Sequence, residues 1–130
     1  MTEIMQELAG NGEKTLGEPL DFGRLSQTLG NELVEQLPFL LSSLLDEIPV
    51  QMSQIGYAIK ADAWPEGVRM AHGLKGTSRW FAADALELAA LELEEACHVE
   101  NLHAAERGLL KVKLEAARLR DWLERYTAHS

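Results

Sequence analysis

Apolar residues recur at spacings of three and four along most of this chain, the period of helices buried along one side. Leu33, Leu37, Leu40, Leu44, Ile48, Met52, Ile55 and Ile59 form one stripe that stays in phase throughout. Asn31 is placed to cap that helix. Pro38 sits within the stripe and Pro49 interrupts it, but the phase holds across Pro49, so a bend is expected there rather than an end. Asp62 starts a turn into a second helix that opens near Pro65, a good first helical residue, and closes near Phe81. Its core stripe reads as Met70, Leu74, Thr77 and Phe81. Asp84 is placed to cap a third helix running to about His98, with Leu86, Ala90, Leu93 and Cys97 inward and Glu87, Glu92, Glu94 and Glu95 mostly in solvent. Asn101 precedes a fourth, whose seam is Leu102, Ala105, Leu109, Val112, Ala116, Leu119, Leu123 and Tyr126. Ahead of these, Asp21 can cap a short helix ended by Gly30. Residues 1–20 read as a leader, with Thr2 to Ala9 able to form two turns before Gly10-Asn11-Gly12. Short connections make successive long helices antiparallel. The fold class is all-α: an up-and-down antiparallel four-helix bundle over residues 21–127, with one or two short N-terminal helices and a tail at 128–130.

The second helix carries the unusual chemistry. Stepping 100° per residue from His72 puts Val68, Arg69, Lys75, Gly76 and Arg79 beside it, on the side away from the core stripe. His72 is therefore an exposed imidazole among three cations. Gly76 costs about 0.5–1 kcal/mol against alanine inside a helix, and it leaves bare backbone one turn from the ring. Lys75 brings an ammonium within reach of an anion on that ring. An exposed nitrogen nucleophile with a clear approach and a nearby positive charge suits a phosphoryl group on histidine. Trp80 lies about 80° around the helix from His72 and can edge a partner surface.

Composition narrows the partners. The 130 residues fit one domain, and 46% hydrophobic with 25% charged content reads as globular. Twelve basic against 21 acidic residues leave a net charge of −9, which argues against nucleic acid. The Arg69, Lys75, Arg79 cluster stands out as a basic spot on an acidic protein. A single cysteine, Cys97, excludes an internal disulfide and falls in a core position. Met1-Thr2-Glu3 lacks the start of a signal peptide, and the longest apolar run, Phe39 to Leu45, is too short to span a bilayer. The reading is a cytoplasmic chain with no membrane partner. His98 and His103 near Glu94, Glu95 and Glu100 read as a solvated turn, so no metal site is expected. His129 falls in the tail. No phosphate loop, paired catalytic carboxylates or Ser-His-Asp set appears, so the chain is not expected to be a kinase.

Ala71-His72-x-Leu74-Lys75-Gly76-x-Ser78 resembles the signature of histidine-containing phosphotransfer (HPt) domains. Upstream, Leu44-Leu45, Pro49, Met52, Ile55, Ala58 and Asp62 resemble the preceding helix and turn of that family. Downstream, Ala82-Ala83, Leu86, Ala89-Ala90 and Leu93-Glu94 resemble its next helix. The family often has Gly-Ala in place of Ala82-Ala83 and a small hydroxyl residue in place of Gly73; Trp80-Phe81 is bulkier than usual. The resemblance implies a phosphocarrier rather than an enzyme. His72 would be the phosphoacceptor, Lys75 its charge partner and Gly76 its clearance. Val68, Arg69, Arg79 and Trp80 would touch the partner. The partners would be response-regulator receiver domains and a hybrid histidine kinase, with Mg²⁺ carried by the receiver and no cofactor bound by this chain, which would act as a monomer. Two other readings remain open at this point: a non-catalytic helical adaptor using the His72 face, and the phosphoacceptor domain of a larger histidine kinase. The lack of a kinase core in the sequence favours a stand-alone protein.

Overall fold

The computed structural model describes residues 18–129, which form five helices: α1 (Phe22–Glu35), α2 (Leu37–Lys60), α3 (Trp64–Trp80), α4 (Asp84–His98) and α5 (Leu102–Ala128). The expected helical turns at Thr2 to Ala9 lie outside the described residues. Helices α2 to α5 alternate in direction, and each packs on its neighbours in the cyclic order α2, α3, α4, α5. That is the expected four-helix bundle, with α1 as an added N-terminal helix. The core runs along its axis through Leu41, Ile48, Ile55, Leu74, Leu86, Leu93, Val112, Leu119 and Trp122. Cys97 is buried in it, and burial pushes its thiol up, away from reactivity.

Two boundaries differ from expectation. The long helix begins at Leu37, not after Asn31, because Gln36 breaks the path and Pro38 takes a first-turn position where its missing N–H is harmless. Leu33 therefore leaves the stripe and is exposed. Residues 31–35 join α1, which is interrupted at Gly30 (φ 77°), a left-handed conformation that suits glycine. Asp21 caps α1 as expected, accepting from the Arg24 amide at 3.0 Å. At Pro49 the helix continues.

All three tight turns of the bundle are built alike. Asp62, Ala82 and Glu100 each adopt a positive φ of 62°, 55° and 53°. The next amide, of Ala63, Ala83 or Asn101, bonds back to the carbonyl of Ala58, Ser78 or Ala96. This is a Schellman closure with no glycine in the left-handed position. Asp84 is consequently the first residue of α4 and not its cap; Ala83 stands at the cap, and the Asp84 carboxylate instead pairs with Arg24 of α1. The Asp21 amide also bonds the Ala82 carbonyl at 2.9 Å, so α1 is tied to the α3–α4 turn. Asn101 caps α5 as expected, at 3.0 Å from the Ala104 amide. Leu102 is outside the seam and exposed, while Trp122 and Gly108 join it. His129 is the C-cap of α5, its Nδ1 2.8 Å from the Arg125 carbonyl oxygen.

Candidate functional site

Helix α3 presents its buried side through Trp64, Gly67, Ala71, Leu74 and Ser78, with Phe81 following. The expected stripe is thus corrected by about 70° of rotation about the helix axis: Met70 is only half-buried and Thr77 is exposed, with its hydroxyl donating to the Gly73 carbonyl. The reason is close packing on α4. Gly67, Ala71 and Ser78 are small, and a Cβ on Gly67 would stand 3.0 Å from the Cys97 sulfur. Small residues draw the helix pair together more strongly than Met70 and Thr77 could. The Ser78 hydroxyl satisfies itself within the helix, donating to the Leu74 carbonyl at 2.7 Å.

The rotation leaves His72 in solvent, its side chain 66% exposed, and moves Lys75 to the α3–α4 seam, where it is only 19% exposed. Between them lies a residue expected in solvent and found buried, Glu94 of α4. One carboxylate oxygen, Oε2, is 2.9 Å from His72 Nδ1; the other, Oε1, is 2.8 Å from the Lys75 ammonium. Burial alone would push the Glu94 carboxyl up, but Lys75 and His72 outweigh it and hold it below its ordinary value. An ionised carboxylate only accepts hydrogen bonds, so Nδ1 carries the proton and, in the neutral ring, Nε2 carries the lone pair. The sequence did contain a signal for Glu94: it follows Leu93 and stands one turn beyond Ala90, at the edge of the buried stripe of α4.

The remaining expected site residues share this face but differ in state. Val68 is half-buried, and Gly76 is exposed with nothing within 4 Å of where a Cβ would stand. Trp80 is half-exposed and stacks edge-on against Phe81. Arg69 pairs with Glu66 at 2.6 Å and Arg79 with Glu87 at 2.7 Å. With Lys75 on Glu94, all three cations near His72 have carboxylate partners. The basic spot read from the sequence is therefore electrostatically compensated, because α4 brings two of those glutamates across the seam.

The result is a helical bundle that presents an exposed imidazole whose Nδ1 is held by a buried carboxylate, with the bare backbone of Gly76 one turn away. A family model for the Hpt domain matches residues 40–128, and the chain belongs to that family. Hpt domains are phosphocarriers that exchange phosphoryl groups with receiver domains in phosphorelays. No curated protein and no solved structure matched this chain. Among the described residues no helix is long and apolar enough to cross a membrane.

Proposed function

We propose that this chain accepts a phosphoryl group on Nε2 of His72 from the phospho-aspartate of one receiver domain and passes it to the aspartate of another. The observation that carries this reading is the Glu94 bridge, which leaves Nε2 as the free nucleophile on an exposed, rigid helix. In the forward step the Nε2 lone pair attacks phosphorus in line. The P–N bond forms, the P–O bond to the receiver's aspartate breaks, and the aspartate leaves as carboxylate. The ring keeps its Nδ1 proton and becomes cationic, and the Glu94 carboxylate faces that charge. In this reading Lys75, one turn along the helix from His72, is the charge partner of the transferred phosphoryl group. Catalysis of this kind rests on position and charge. Gly76 lets the receiver come close.

The receiver contributes the magnesium ion and the acidic pocket that the family resemblance implies. A hybrid histidine kinase is the upstream source in this reading, and the chain works as a cytoplasmic monomer. Incubation with a receiver domain charged by acetyl phosphate tests it. Acid-labile, alkali-stable label should appear on the wild-type chain and be mapped to His72. Binding of the receiver without any transfer of label would instead support an adaptor.

A further inference from the structure

The side of the bundle away from His72 carries a feature that phosphotransfer does not use. Helices α3 and α5 stand diagonally across the bundle, each packed on α2 and α4. On α5, Lys111 reaches Glu92 of α4 at 2.9 Å and Arg120 reaches Asp46 of α2 at 3.0 Å. These pairs mark the two flanks of α5, so the strip between them faces away from the core. Leu110 and Leu114 lie on that strip, one turn apart and each more than half exposed. Leu88 of α4 is also more than half exposed, and it stands one turn before Glu92. In an antiparallel pair that places it level with Leu114. Single exposed leucines need no explanation, but three grouped on one face point to an interaction surface.

The charge of the strip is as unusual as its apolarity. From Arg107 to Arg120 the chain holds five basic residues against one acidic residue, Glu115, in a protein of net charge −9; Glu106 and Asp121 bound the stretch. Arg118 pairs with Glu115, and Lys111 and Arg120 are engaged as above. Arg107 and Lys113 are exposed and have no carboxylate partner among the described residues. By helical phase Arg107 leans toward α4 and Lys113 toward α2, one on each side of the two leucines. The cations around His72, by contrast, are all compensated.

We infer that this face of α5, with Leu88 at its edge, is a docking site for an acidic amphipathic helix of another protein. The one-turn spacing of Leu110 and Leu114 suits apolar anchors three or four residues apart on a helix laid along α5. Carboxylates on both flanks of those anchors reach Arg107 and Lys113, cations not already engaged. Charge selects the class of partner. A chain of net charge −9 repels an extended anionic surface, lipid or nucleic acid, whereas a short acidic helix meets only the local basic strip. Because α3 is diagonally opposite, the docked helix leaves His72 open. The site tethers the carrier while its histidine stays available, and it does not depend on the phosphotransfer reading.

The test uses the full chain and a fluorescein-labelled synthetic peptide of about 15 residues, long enough to hold helical structure, with leucines one turn apart and glutamates on both flanks. The peptide should bind, and the amide NMR shifts it causes should centre on Leu110 and Leu114. The double variants Leu110→Ser with Leu114→Ser, and Arg107→Glu with Lys113→Glu, should each weaken binding at least tenfold with helical content unchanged. A lysine version of the peptide should reverse the order and prefer the charge-reversed variant to wild type. Phosphoramidate should label His72 equally fast with the acidic peptide bound or absent. No binding to wild type, equal affinity in both variants, shifts centred on α3, or slower labelling with peptide bound would each overturn the proposal. Two other occupants would overturn it as well: a second copy, if wild-type dimers dissociate in the leucine variant, and a lipid surface, if phosphatidylglycerol vesicles bind wild type and not the charge-reversed variant.

Discussion

Nδ1 of His72 and Oε2 of Glu94 stand 2.9 Å apart, though 22 residues and a tight turn separate them in the chain. The pair fixes which ring nitrogen is free. Glu94→Ala should therefore slow phosphoryl acceptance by about tenfold or more, since losing about 1.4 kcal/mol of transition-state stabilisation is enough for that. Glu94→Gln keeps an oxygen that can accept from Nδ1–H and should retain more activity than Glu94→Ala. Single-turnover transfer rates would decide; equal rates for wild type and both variants would remove Glu94 from the mechanism.

The same carboxylate makes stability depend on pH in a defined direction. Its pKa is held below the ordinary 4.5 in the folded chain. The stabilisation is thus complete above that unfolded value and is lost as pH falls through the lower folded one. Urea unfolding of wild type and Glu94→Gln between pH 7 and pH 3 should show a wild-type advantage that shrinks in the acid range. A gap that stays constant across the series would contradict the ionised bridge.

His72→Gln should abolish acceptance from any donor while leaving helical content and thermal stability nearly unchanged, since the His72 side chain is mostly exposed and an amide can still donate to Glu94. Mass spectrometry of the labelled chain together with circular dichroism checks both halves.

Lys75→Ala should slow transfer more than it weakens docking, because an ammonium at the α3–α4 seam acts on charge developing at phosphorus rather than on the receiver's outer surface. Transfer rate and receiver affinity must be measured separately. Matching losses would make Lys75 a plain contact.

Three glycines should respond in opposite directions to the same substitution. Gly76→Ala meets open space and should stabilise α3 by up to about 1 kcal/mol. Gly76→Gln should fold as well, yet block receiver transfer while phosphoramidate still labels His72. Gly67→Ala drives a methyl to 3.0 Å from the Cys97 sulfur, and Gly108→Ala to 3.1 Å from the Leu93 backbone; each should destabilise by about 1–3 kcal/mol. Thermal unfolding of the three alanine variants distinguishes a glycine kept for access from glycines kept for packing.

Much of this protein follows from periodicity alone. The four long helices, their antiparallel order, the exposure of His72 and the burial of Cys97 are consequences of where apolar residues fall along a 3.6-residue turn, and local order is enough to set them. Local pattern also places Asp21 and Asn101 as caps, since a cap bonds to amides within its own first turn. What the pattern could not decide was the rotation of α3. A rotation of less than one residue decides whether Met70 and Thr77 or Ala71 and Ser78 face the neighbour, and that depends on how closely α4 can approach, a property of two helices at once. The turns were hidden for a related reason: Asp62, Ala82 and Glu100 are held in left-handed conformations by Schellman bonds and the packing around them, with no glycine to mark the place. Glu94 is the clearest case. Its type and spacing read as a solvated acid on a helix edge, and only the closing of the α3–α4 seam surrounds it with Lys75 and His72. Ion pairing between helices depends on distance in space, and the tertiary structure alone sets that distance.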